Sequence, residues 1–450
     1  MDYTLTQQEM ALAARCLDAA LAKGAQKARV TLNKSCMDLI GTLNGEIDKV
    51  SHCLDRSISI ALFVDGKYGS FSINRLEESA LDDFIDRAVA TVRLLAADPC
   101  RDLPDPGRTA KDAVGGRELG LYDDACLSVD TDGRIRTALG ASIFKKTEPT
   151  PDWSLVSEEA EYSDSVFDSL VLDTQGLRCR HTETSFEYGV EMTVADASGN
   201  KYSGYWWNCS PRLGELRAEG ICAKALERAV AQIGPKRLRS GKYRCVVDSE
   251  CASRLLTPLL SALGGYAIQQ NNSFLLDSLG RKVFGEGLTV RDEGRRPGES
   301  GSRLFDSEGV ATRERDIISG GVVNEYFINT YIAAKTGMSP TVEDAVRPRV
   351  LPWPEAGLDR ASILERCGEG ILVTGFNGGN SNAATGDYSF GISGFAFKDG
   401  KVTHPVREML MTGNLVTLWN HLLAAGDDAR TCMSRLVPTL AFDDVDFSGE

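Results

Sequence analysis

The run Gly375-Phe376-Asn377-Gly378-Gly379-Asn380-Ser381-Asn382 constrains this chain more than any other segment. Glycine and asparagine tolerate positive φ, so a backbone this rich in them is folded tightly or closely approached by something. After Gly386 the pattern changes: Tyr388, Phe390 and Ile392 alternate with Ser389, Gly391 and Ser393. A strand with that alternation has one apolar face and one face almost without side chains. A second backbone, or an extended peptide, could lie flat on the bare face. The plainer expectation is a structural hairpin in a β-rich domain.

The rest of the chain reads as an α+β protein in three parts. Residues 1–97 form an N-terminal layer of helix and antiparallel strands. Thr6 and Glu9 make a capping box, Leu5 and Met10 a hydrophobic staple, and Gly24 the stop of the first helix. Short alternating runs follow at 28–32, 37–42, 57–64 and 68–71, the last two joined by Asp65-Gly66. Ser79 and Asp82 open a second helix carrying Phe84, Ile85, Ala88, Val92 and Leu95. Pro99, Pro104 and Pro106 mark a linker over 98–117. A mixed central unit spans 118–235, with helices over 132–146 and 216–233 and four strand-like runs between them. Residues 240–450 form a β-rich C-terminal domain, where Asp399-Gly400 signals another hairpin. One early helix runs over 249–263, capped by Asp248 or Ser249 and stopped by Gly264-Gly265, with Leu255, Leu256, Leu259, Leu260 and Leu263 on one stripe.

Composition excludes several functions. The chain has 450 residues, too many for one core, and a formal charge of −14. Duplex DNA rewards neutralisation of phosphates, so direct DNA binding is not expected, and Lys236-Arg237-Leu238-Arg239 is too short to reverse that. No apolar run is long enough to span a bilayer, and the start lacks a signal peptide's basic and apolar regions. A cytoplasmic protein is expected. Its twelve irregularly spaced cysteines read as reduced, mostly buried thiols.

Self-contained chemistry is hard to find. The four histidines, His52, His181, His404 and His421, include no helical ligand pair. Cys179 and His181, two positions apart, share one face of a strand. No nucleophile elbow, dinucleotide fingerprint or phosphate loop appears.

Four further segments follow in order: Asn272–Gly280, Ser302–Thr312 with its Asp306-x-Glu308-Gly309 turn, Ser319–Tyr326, and Gly413-Asn414-Leu415. With 375–395 they resemble the C-terminal part of the TldD/PmbA family, also called modulators of DNA gyrase. The resemblance implies two kinds of subunit. One carries H-E-x-x-x-H plus a distal Cys and is a zinc metalloprotease; the PmbA/TldE kind lacks these ligands and pairs with the first. Aligned without gaps, back from Gly280, the motif positions fall on Leu256, Thr257 and Ser261, and Cys432 lies near the distal Cys. Leucine cannot bind zinc, and threonine cannot act as a carboxylate base.

The resemblance therefore implies a non-catalytic subunit with no metal or cofactor of its own, zinc residing in a TldD-type partner. Unfolded peptide is the implied substrate, cut in a chamber between the subunits, and any effect on gyrase is indirect. Asn377, Gly378, Gly379, Asn380, Asn382, Ser389, Gly391 and Ser393 are the expected peptide-handling residues. The alternative is a stand-alone or homodimeric module that binds peptides or proteins without cutting them.

Overall fold

The computed structural model describes residues 2–354 and 357–449. The chain divides into two compact units. One comprises 1–230 with 295–312, the other 231–294 with 313–450.

In the first unit the Thr6 capping box forms as expected and opens α1 (Gln7–Ala22), whose Met10, Ala13, Cys16 and Ala20 are buried. Three strands follow: β1 (Lys27–Leu43), β2 (Glu46–Val64) and β3 (Lys67–Ile73). They are far longer than the alternating runs at 28–32 and 37–42 suggest. The outer half of β2 is almost wholly exposed, and its Ile47, Val50 and Leu54 are not spaced at the period of two that marks a strand. Asn44 and Gly45 both take positive φ and form a tight hairpin turn, as do Asp65 and Gly66. Helix α2 (Glu78–Val92) starts at Glu77 without a side-chain cap, earlier than Ser79, and Leu95 lies beyond its end and exposed.

The expected helix over 132–146 divides into α3 (Thr131–Gly140) and a 3-10 turn at Phe144–Lys146. Strands β4 (Trp153–Asp173), β5 (Arg178–Asp196) and β6 (Lys201–Ser210) complete a six-stranded sheet in the order β3-β2-β1-β4-β5-β6. Segments 1–97 and 118–235 thus share one sheet, because β1 pairs along its length with β4. Residues 98–117 carry no helix or strand, but Leu103, Ala110 and Ala113 are buried, the last two in a cluster with Leu304 and Phe305. Helix α4 (Ile221–Ala231) follows, shorter than expected at both ends.

The second unit begins with β7 (Gly241–Val247) and α5 (Ser253–Ala262), followed by α6 (Gly265–Gln269). Asp248 does not cap α5; its carboxylate accepts from Glu250 N in the preceding turn and pairs with Arg360. The five-leucine stripe is buried as expected, with Leu255, Leu256, Leu259 and Leu263 at 0% exposure. A small sheet joins β8 (Val290–Asp292), β9 (Arg315–Ser319), β10 (Val322–Val323) and β11 (Pro348–Val350) in the order β10-β9-β8-β11. Two short helices are α7 (Thr330–Thr336) and α8 (Arg360–Cys367).

The remaining strands are β12 (Gly370–Ser381), β13 (Asp387–Lys398), β14 (Lys401–Asn414), β15 (Leu422–Ala425) and β16 (Leu440–Ser448), with α9 (Leu415–Asn420) before β15. The order β14-β13-β12-β7-β16 closes on itself through pairing of β14 with β16, giving a barrel, and β15 adds to β16. Barrel and α5 share one core, which includes Val247, Leu256, Phe390 and Trp419. The fold is α+β, with the closed barrel in the C-terminal region.

Candidate functional site

The Gly/Asn segment is not a loop entering a strand. Residues through Ser381 belong to β12, and the turn is confined to 382–386, where Asn382 Oδ1 accepts from Ala384 N and Thr385 N. Two bulges interrupt the β12–β13 ladder, between Val373 and Gly375 and between Phe376 and Gly378. Bulges leave residues unpaired and bend the strand, which is what a glycine-rich sequence allows.

The face with few side chains is not bare. Asn377 covers Gly391: a Cβ on Gly391 would lie 2.3 Å from Asn377 Oδ1, and Asn377 Nδ2 reaches Ile392 O and Ser393 Oγ at 3.5 and 3.4 Å. Gly379 is required for a different reason. Its φ is +85° and a Cβ there would meet Ser389 O at 1.9 Å. On the other face Tyr388 stacks on Phe390, which meets Phe376 edge-on.

What the hairpin leaves open is an edge. Strand β7 pairs with β12 only at 371–373. Beyond Val373, among the described residues, no strand pairs with the outer edge of β12, and Asn377, Gly378, Gly379 and Asn380 are exposed. Arg254 of α5 fixes this stretch: its Nη2 donates to Gly379 O at 2.8 Å and its guanidinium lies 5.1 Å from the Phe390 ring centre. Sequence reading missed Arg254, since nothing local links it to a glycine 125 positions away.

Leu256, Thr257 and Ser261 do not make a metal centre. Leu256 is fully buried in the core. Thr257 Oγ1 donates to Ser253 O at 2.8 Å and accepts from Arg435 Nη1 at 3.0 Å, so a fixed cation already faces it. Ser261 is exposed and Cys432 half-buried. A divalent ion would find two neutral hydroxyls, one of them held by a guanidinium, and no imidazole or carboxylate at these positions, which does not fit zinc.

The Cys179/His181 pair does not form a dyad either. Cys179 Sγ donates to Ala110 O at 3.0 Å, and burial pushes the thiol up to about 12. His181 Nε2 lies 3.1 Å from Glu183 Oε2 instead. The thiolate, the reactive form, is suppressed.

The first unit also carries a groove of about 600 Å³ on its sheet, lined by Glu159, Glu161, Glu187, Glu191, Lys49 and Tyr205. Burial, and then the neighbouring Glu161, hold the Glu187 carboxyl above the usual range.

Three family profiles cover most of the chain: PmbA/TldA metallopeptidase domain 1 over 28–92, the central domain over 123–233 and the C-terminal domain over 240–449. A protein described as a modulator of DNA gyrase from Bacteroides thetaiotaomicron is 39% identical. The alignment covers 99% of this chain and 100% of that one, with a TM-score of 0.93. The metalloprotease PmbA of Escherichia coli O157:H7 is 27% identical over 92% of this chain and 91% of its own. TldE from Thermococcus kodakarensis shares the fold, with a TM-score of 0.82 at 17% identity over 97% of this chain and 100% of its own. The chain belongs to the PmbA/TldD family. Among the described residues no helix is long and apolar enough to cross a membrane.

Proposed function

We propose that this chain is the non-catalytic, PmbA/TldE-type subunit of a heteromeric zinc peptidase, contributing a peptide-pairing edge instead of a reaction centre. The observation that carries this is the α5 face, where Leu256 is core and Thr257 is held by Ser253 and Arg435. Metal-assisted hydrolysis needs imidazole or carboxylate ligands and a general base, and this face offers neither.

The exposed edge of β12 supplies the binding half of the reading. An extended peptide gains affinity by adding main-chain hydrogen bonds to an unpaired strand edge, with little dependence on its side chains. That suits unfolded peptide as the substrate class, and Asn377 to Asn380 expose backbone and amides. Zinc and hydrolysis then belong to a TldD-type partner carrying H-E-x-x-x-H. The names metalloprotease PmbA and TldE among relatives agree with a peptidase role, and a relative named metalloprotease TldD homolog, from Buchnera aphidicola, matches 62% of this chain.

The test is co-purification with an H-E-x-x-x-H homologue, followed by assay on an unfolded polypeptide. The expected result is no cleavage by this chain alone and zinc-dependent cleavage by the pair. Cleavage by the isolated chain, or activity of the partner that is indifferent to this chain, would overturn the proposal.

A further inference from the structure

We propose that Cys36, Asp38 and His52 form a binding site for a divalent transition-metal ion of the zinc class, separate from the α5 face. The three residues lie on the outer part of the β1–β2 ladder. Cys36 and Asp38 are two apart on one strand and so share a face, and His52 stands directly opposite Asp38 in the antiparallel register. The thiol sulfur, a carboxylate oxygen and a ring nitrogen all lie within 4.8 Å of one another. Sulfur, nitrogen and oxygen donors brought together this way suit zinc or cobalt and not magnesium or calcium, which take oxygen alone.

The surroundings support a built site. Asp164 of β4 faces Asp38 from the other side of β1. Between them lies Arg134 of α3, 5% exposed, which binds Asp164 through two nitrogens at 2.7 and 2.8 Å. Its Nη2 also lies 3.0 Å from Asp38 Oδ2. That holds the carboxylate by its far oxygen and leaves Oδ1 directed to His52 Nδ1, 2.8 Å away. Ligating carboxylates are commonly oriented in this manner by an outer hydrogen bond.

The charges also match. Asp38 and Asp164 against Arg134 leave one net negative charge, and a Cys36 thiolate makes two, the complement of a divalent ion. A metal-bound thiol is deprotonated, so binding releases its proton to solvent. His52 keeps 44% of its side chain exposed, so its ring can turn to admit an ion. Three protein ligands leave the fourth tetrahedral position for water or a small ligand.

Cobalt titration of the full-length, chelator-washed chain tests the site, since a cobalt–thiolate bond gives an intense near-ultraviolet charge-transfer band. The expected result is one cobalt per chain, with that band displaced by zinc. Cys36→Ala should abolish the band and His52→Ala should weaken cobalt affinity by ~10-fold or more. Cys53→Ser should change nothing, because Cys53 is exposed opposite Met37. His52 lies on the exposed half of β2, so its variant keeps the test valid even where the Cys36 variant folds poorly. Absence of the band, cobalt affinity unchanged in His52→Ala, or a band lost in Cys53→Ser would overturn the proposal and leave His52–Asp38 as a surface hydrogen bond.

Discussion

Arg254 links helix α5 to the outer half of β12, yet the two segments use sequence in opposite ways. In α5 five leucines are driven into the core, and the positions to which the family resemblance assigns a metal motif are taken up by packing and by Thr257's two hydrogen bonds. In β12 the residues after Phe376 bury little and keep a backbone edge exposed. A segment that buries apolar side chains fixes a fold; one that exposes glycine backbone costs stability and repays it only through what pairs with it. Under the proposed function, the difference separates where the chain is held together from where it would meet peptide.

Leu256→His attacks the first half of that contrast and carries the largest expected effect. It exchanges a fully buried leucine for a polar ring, and the loss of apolar burial plus the unpaired polar group should cost roughly 3–5 kcal/mol. Denaturant unfolding measures it. A variant of wild-type stability that gained zinc would show that this face borders a cavity.

Within β12 the glycines should behave unequally. Gly379→Ala places a Cβ against Ser389 O at positive φ and should lose about 2–3 kcal/mol. Gly378, whose added Cβ would meet nothing within 4 Å, should lose less despite its φ of +154°. Equal losses, read as thermal midpoints, would show the edge to be ordinary turn structure. Valine at both positions is not a clean functional probe, because Gly379 has no room for it.

Arg254→Ala cuts the link between the two regions. Losing its bond to Gly379 O and its position over Phe390 should cost about 1 kcal/mol and lower peptide cleavage by the reconstituted pair more than it lowers stability. Unchanged cleavage would free the edge from any dependence on α5.

The groove of the first unit provides a control outside both regions. Glu187 has a raised folded pKa, so the folded state keeps its proton to higher pH than the unfolded chain does. Its contribution to stability therefore falls as pH rises from the ordinary carboxylate range through that raised value. Glu187→Gln should raise the thermal midpoint slightly at neutral pH and leave it unchanged well below pH 4. A destabilised Gln variant at neutral pH would show that the ionised carboxylate has a partner.

The leucine stripe of α5, the Thr6 capping box and the hairpins at Asp65-Gly66 and Asp399-Gly400 were legible because each is a local pattern with a local cause. The length of β1 and β2 was not, since the apolar residues of Glu46 to Arg56, Ile47, Val50 and Leu54, follow no strand alternation and the strand character comes from pairing with β1. Without that register, set by the Asn44-Gly45 turn, Cys36, Asp38 and His52 read as unrelated residues. The Gly/Asn segment is bulged strand through Ser381, which its composition alone does not distinguish from a loop, because both favour glycine. Arg254 and Arg435 act through distant partners, which only the packed chain reveals.

Amide hydrogen exchange with and without an unfolded peptide tests the proposed division of roles most directly, using this chain assembled with a zinc-stripped H-E-x-x-x-H homologue. Peptide should slow exchange across residues 375–381 of β12 and leave 255–262 of α5, whose leucines are already in the core, unchanged. Protection that spared β12 and appeared elsewhere in the chain, or none at all while peptide was bound, would contradict the account.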